Sequence, residues 1–215
     1  SVTYHTGCPV LDPGTVLEGF DRYKPSSATQ EETDRWREEA RKAAEEADVV
    51  VMPLGEHCFQ SGEAASRAFI EIPKIQQDLF RAVSEVNPNV VAVVFSGRPL
   101  DLRVISERAR AVLSVWMPGM EGGRAIIDVL TGTRTPSGKL PMSFPYCVGQ
   151  VPVHYDSLMT GRPYRKGKPE RYVSRYQDIP ADPLYSFGYG LTYTSMELSE
   201  VRLSKNELMP GEEIE

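Results

Sequence analysis

Cysteine and histidine are scarce in this chain, three of each in 215 residues, and their placement excludes two kinds of site. Cys8, Cys58 and Cys147 are odd in number and far apart, so no disulfide framework is implied and a reducing, cytoplasmic compartment fits. No Cys or His pair stands at ligand spacing, so no metal site is expected. Basic residues are also short, 24 against 30 acidic ones, and the net charge of -6 argues against a surface that neutralises nucleic-acid phosphates. The one Lys/Arg-rich piece, 162–175, is brief, is interrupted by Glu170 and reads as a solvated loop. No apolar run approaches the roughly 18 residues that cross a bilayer, so no membrane partner is expected. A Gly-x-Gly-x-x-Gly fingerprint is missing too. Neither Gly7 nor Gly14 forms one, which weakens a nucleotide- or flavin-binding reading and leaves no cofactor to expect.

What is there alternates between two periods. Over 29–47, Trp36, Ala40, Ala43, Ala44 and Ala47 recur on one helical face, with Glu and Arg opposite. A second helix is predicted over 73–86, with Pro73 suited to its first turn and Ile75, Leu79, Ala82, Val83 and Val86 as its buried face. A short helix carries Leu102, Val104, Ile105 and Ala109. A last one opens at Glu121-Gly122-Gly123 and carries Ala125, Ile126, Val129 and Leu130. Between them lie nearly continuous apolar runs at 49–54, 90–95 and 111–116, the pattern of strands buried on both faces. Residues 1–4 read as a further short strand. Strands alternating with helices predict an α/β fold, a parallel sheet covered on both sides. After Thr135 proline and glycine dominate, and a long irregular stretch runs to about Pro183.

The passage Gly55-Glu56-His57-Cys58-Phe59-Gln60-Ser61-Gly62-Glu63-Ala64-Ala65-Ser66-Arg67 leaves the first long apolar run. Loops at the carboxyl ends of such strands are where open α/β sheets place ligands. Here two carboxylates, a thiol, an imidazole, an aromatic ring and an arginine come together. Taken singly, an exposed Glu in such a loop is most often just solvated. His57 and Cys58 carry no case for catalysis, because a thiol nucleophile needs a base placed in space.

Further segments join that loop in order: Ile72-Pro73, Trp116-Met117-Pro118-Gly119, Glu121-Gly122-Gly123, Pro136-Ser137-Gly138-Lys139-Leu140-Pro141, Gly149-Gln150-Val151-Pro152, Gly161-Arg162-Pro163 and 183–191. Together they resemble the second domain of glycoside hydrolase family 3, in particular its bacterial β-glucosidases, over 1–194. The tail, 195–215, resembles the start of a fibronectin type III-like domain. Both chain ends are expected to be cuts.

The resemblance implies a three-layer α/β/α sandwich that shares an active site with a β/α-barrel domain placed before it. It implies a β-glucoside substrate, without cofactor, cleaved by retaining double displacement between two carboxyl groups about 5–5.5 Å apart. Glu63 matches the acid/base glutamate. The barrel's aspartate nucleophile has no counterpart here, so this chain by itself is expected to be inactive. Phe59, Gln60 and Arg162 are candidates for substrate contact, each weighed against local packing. Glu56 reads as structural. Arg67 can pair with Glu56 or Glu63 or cap a helix end, a structural ion pair being favoured. The competing reading is a non-catalytic carbohydrate-binding or scaffolding module.

Overall fold

The computed structural model describes residues 1–15, 17, 27–168 and 170–214. Pro169 in the basic passage, and residues 16, 18–26 and 215 within the two expected domain ranges, lie outside them.

Helix α1, Gln30–Glu46, starts where Thr29 and Glu32 satisfy each other's backbone N–H groups: Glu32 N–H donates to Thr29 Oγ1 at 3.2 Å and Thr29 N–H to the Glu32 carboxylate at 2.9 Å. Its buried positions are Thr33 and Ala44, with Trp36 and Ala43 only half-buried. Helix α2, Lys74–Val86, is capped from far away. The Asp12 carboxylate accepts from Lys74 N–H at 2.9 Å and from Ile75 N–H at 2.7 Å. Pro73 stands just outside the helix, not in its first turn. The buried face includes Gln76 and Phe80 beside Ile75, Leu79 and Val83.

Strands β1 (Val50–Gly55), β2 (Val90–Phe95) and β3 (Ala111–Ser114) form a parallel sheet in that order, with Met52 opposite Ala92 and Ala92 opposite Val112. Met52, Leu54, Val90, Ala92 and Val94 join Ala44, Leu79, Phe80 and Val83 in one core that continues to Leu100, Leu102 and Ile105. Burying side chains of this size stabilises by about 1.5–3 kcal/mol each. Helix α3 is Arg103–Arg108 and α4 is Gly122–Leu130. The result is an α/β sandwich, a parallel sheet with flanking helices.

Two expectations are corrected. Residues 1–4 form no strand and are exposed. The sheet's second face is not covered throughout: Val93 on β2 is buried, but Val51 and Pro53 on the edge strand β1 are exposed, as is Ile127 on α4. An edge strand has a neighbour on one side only, so an apolar run there does not ensure burial.

The proline-rich stretch docks instead of wandering. Phe144 pairs antiparallel with Tyr185, and its ring, 1% exposed, lies 5.7 Å from that of Trp116. Residues 195–214 carry no helix or strand.

Candidate active site

At the carboxyl end of β1 the chain must pass very close to β2. Gly55 has φ +145°, and a Cβ there would sit 1.8 Å from the Phe95 carbonyl oxygen, so only glycine fits. Gln76 of α2 clamps that glycine, accepting its N–H at 2.8 Å and donating to its carbonyl at 2.9 Å. The strand end is thereby fixed, and with it the next residue, Glu56.

The Glu56 side chain is fully buried and takes three partners. Arg67 Nη1 donates to Oε1 at 2.9 Å, Arg98 Nε forms an ion pair with the same oxygen at 3.0 Å, and Gly97 N–H donates to Oε2 at 3.1 Å. A buried carboxylate is tolerable only when paired and bonded in this way. The arginines then reach outward. Arg67 Nη2 donates to the Glu71 carbonyl at 2.9 Å, and Arg98 Nη2 donates to the carbonyls of Gln60 at 2.6 Å and Ala65 at 2.7 Å. Gly97 lies against the loop, since a Cβ there would meet Ser61 Oγ at 1.8 Å.

Glu63 sits at the top of the arch that these bonds define. It is exposed, and no hydrogen bond or ion pair occupies its carboxyl group among the described residues. Gly62 and Ala64 on either side take φ of +100° and +56°. Of the two loop carboxyls, one is therefore consumed in structure and the other is free for a ligand.

Phe59 is half-buried in a short 3-10 turn, Cys58–Gln60, with its ring tilted 5.4 Å from that of His57. Gln60 closes that turn by accepting from His57 N–H at 3.0 Å, so its amide oxygen is already engaged. Arg162 is exposed on a different segment, where its carbonyl accepts from Ser174 N–H at 2.8 Å. The fold thus gathers Glu56, Phe59, Gln60, Glu63 and Arg67 on one loop and sets Arg162 on another. Among the described residues no three His, Cys, Asp or Glu side chains cluster as metal ligands, and no helix is long and apolar enough to cross a membrane.

Arg98 and Gly97 were not singled out from sequence. In the sequence, Ser96-Gly97-Arg98-Pro99 reads as the turn that leads into the short helix with Leu102, Val104, Ile105 and Ala109. The available signal was its place at the carboxyl end of the buried strand adjacent to β1.

A parallel sheet with flanking helices, whose first strand leads into a loop with one buried and one exposed carboxyl, defines an α/β sandwich domain. The chain belongs to the glycosyl hydrolase family 3 C-terminal domain family, which it matches over residues 3–193. It is 51% identical over 167 residues to the periplasmic beta-glucosidase of Salmonella typhimurium, covering 78% of this chain and 22% of that protein. A beta-xylosidase of Formosa agariphila is 35% identical over 174 residues, covering 79% and 22%. Among solved structures, the beta-glucosidase from Listeria innocua in complex with isofagomine superimposes with a TM-score of 0.76 at 45% identity, over 80% of this chain and 24% of that one. The chain spans less than a quarter of the length of these relatives.

Proposed function

We propose that this chain is the acid/base-donating domain of a retaining β-glucosidase-like hydrolase, with Glu63 as the general acid and base. The observation that carries this is the contrast between the two loop carboxyls: Glu56 is buried, accepts two hydrogen bonds and pairs with two arginines, whereas Glu63 is exposed and unpaired on an arch held at both ends. A double displacement needs a second carboxyl about 5–5.5 Å away. The second carboxyl on the loop, Glu56, is locked between two arginines, and the family resemblance implies a nucleophile on a barrel domain of the same parent protein. Closure of that domain over Glu63 excludes water from its carboxyl and sets it against the glycosidic oxygen. Phe59 and Gln60 stand on the same loop, next to the leaving-group side, and Arg162 reaches the sugar from its own segment. The substrate is a β-linked glucoside, the activity named for most of the relatives. Residues 195–215 begin a fibronectin type III-like unit. For the compartment, the free thiols suit the cytoplasm, while the name of the Salmonella relative favours export.

The experiment is Glu63→Gln in the full-length parent. Loss in kcat/KM should reach about 10²–10⁴-fold for alkyl glucosides, which need a proton on the leaving oxygen, and be far smaller for a dinitrophenyl glucoside. Azide should restore turnover of the activated substrate with retained configuration, since it attacks the glycosyl-enzyme without a base. Equal loss for all leaving groups, without azide rescue, would refute the assignment and favour a non-catalytic module.

A further inference from the structure

The arch that carries Glu63 is pinned at two points by one side chain. Arg98 Nη2 donates to the carbonyl of Gln60 and to that of Ala65, three residues before Glu63 and two after it. No backbone ladder holds this stretch: Ser61 to Ala65 lie outside every helix and strand, and a single long turn bond, Ala65 N–H to the Gly62 carbonyl at 3.4 Å, spans the tip. Arg98 in turn is set by the end of β2. Its neighbour Gly97 packs on Ser61, and its Nε faces the Glu56 carboxylate at 3.0 Å. The line from the sheet to the free carboxyl therefore runs β2, Arg98, two loop carbonyls, Glu63.

We infer that Arg98 is the positioning residue for the Glu63 carboxyl, holding the 60–65 arch at the height and angle needed for proton transfer to a glycosidic oxygen. The inference rests on the general-acid reading of Glu63. A guanidinium suits the task because its planar nitrogens span two carbonyls and a carboxylate at once, whereas an ammonium on a flexible stem holds only a point. Arg67 does a different job. It ties Glu56 to the Glu71 carbonyl, beyond the arch, and touches neither of the carbonyls that flank Glu63. Proton transfer is sensitive to such placement, since a shift of 1 Å costs about 10²-fold in rate.

The test uses Arg98→Met and Arg98→Lys, alone and with Glu63→Gln, in the full-length parent. For Arg98→Met, alkyl glucosides should lose about 10²-fold in kcat/KM while a dinitrophenyl glucoside loses little in kcat/KM, its kcat and KM falling together as the glycosyl-enzyme accumulates. Arg98→Lys keeps the charge beside Glu56 and should lose less, with the same leaving-group pattern. Adding either change to Glu63→Gln should cost almost nothing more, because the group being positioned is already gone. In the 215-residue chain, Arg98→Met should lower the backbone NMR order parameters of 61–65 and leave the amides of 90–95 protected from exchange, which also shows that the domain has folded. Losses independent of the leaving group, losses that multiply with that of Glu63→Gln, or unchanged order parameters at 61–65 would each overturn the positioning role. A Glu63→Gln enzyme with no leaving-group dependence would overturn the general-acid reading and this inference with it. Selectivity in Glu63→Gln without selectivity in Arg98→Met removes this inference alone.

Discussion

Glu56→Gln removes one charge and changes almost no volume, so it isolates the electrostatics of the loop's anchor. The native carboxylate side chain is fully buried, and its two arginine partners are only 19% and 22% exposed. Glutamine keeps one acceptor oxygen, enough for either the two guanidiniums that share Oε1 or the Gly97 N–H at Oε2. Its amide group then points N–H donors at whatever remains, either the Gly97 N–H or both arginines, and both arginines lose the carboxylate charge. Removing one partner of a buried ion pair costs about 3–5 kcal/mol. Because water reaches both arginines at their outer edges, the lower end applies, and we expect about 3 kcal/mol. For a domain of this size that lowers Tm by about 6–12 °C. Urea denaturation followed by tryptophan fluorescence, reported by Trp36 and Trp116, reads the change directly. The midpoint should fall with the slope unchanged. A double-mutant cycle with Arg67→Met should return a coupling of about 1–3 kcal/mol, since the two residues share a bond at 2.9 Å. A loss below about 1 kcal/mol, or a coupling near zero, would refute the account of Glu56 as the buried hub of the loop.

Gly55→Ala should be far more damaging than its single methyl suggests. The φ of +145° is barred to alanine and the new Cβ would collide with the Phe95 carbonyl, so the β1–β2 pairing must break; soluble yield and far-UV circular dichroism check it, and a stable, native-like variant would contradict the geometry. The three thiols should separate by reactivity. Burial, and then the nearby Asp12 carboxylate, push the Cys8 thiol up from 9.0 to about 11, so its alkylation by iodoacetamide should keep accelerating past pH 9, while exposed Cys58 is labelled first. The sign for stability follows from the same shift: the unfolded chain releases this proton first, so the thiol's contribution is intact below pH 9 and is lost as pH rises toward 11. Mass spectrometry of timed quenches gives the rates, and equal labelling of Cys8 and Cys58 at pH 8 would count against the shielding of the half-buried Cys8 thiol.

The sequence by itself determined the alternation of strands and helices. Uninterrupted β-branched runs such as 90–95 and alanine- or leucine-spaced runs such as 73–86 bury only in those two ways, so periodicity settles element type to within a residue or two. It also singled out the loop after β1 as the candidate place for chemistry, because ligands in open α/β sheets bind at the carboxyl ends of the strands. Other features depended on partners distant along the chain. The cap of α2 comes from Asp12, more than sixty residues away, and the C-terminal carbonyls of α1 are met by Asn87 at 2.8 and 2.7 Å. The half-open second face of the sheet also came from neighbours, since an edge valine and a central valine read alike in a sequence. Above all, the division of labour between Glu56 and Glu63 needed Arg98. Their spacing along the chain is that of any two acidic loop residues. Only the approach of the β2 end, made possible by Gly55 and Gly97, buries one carboxylate between two arginines and leaves the other exposed on the arch.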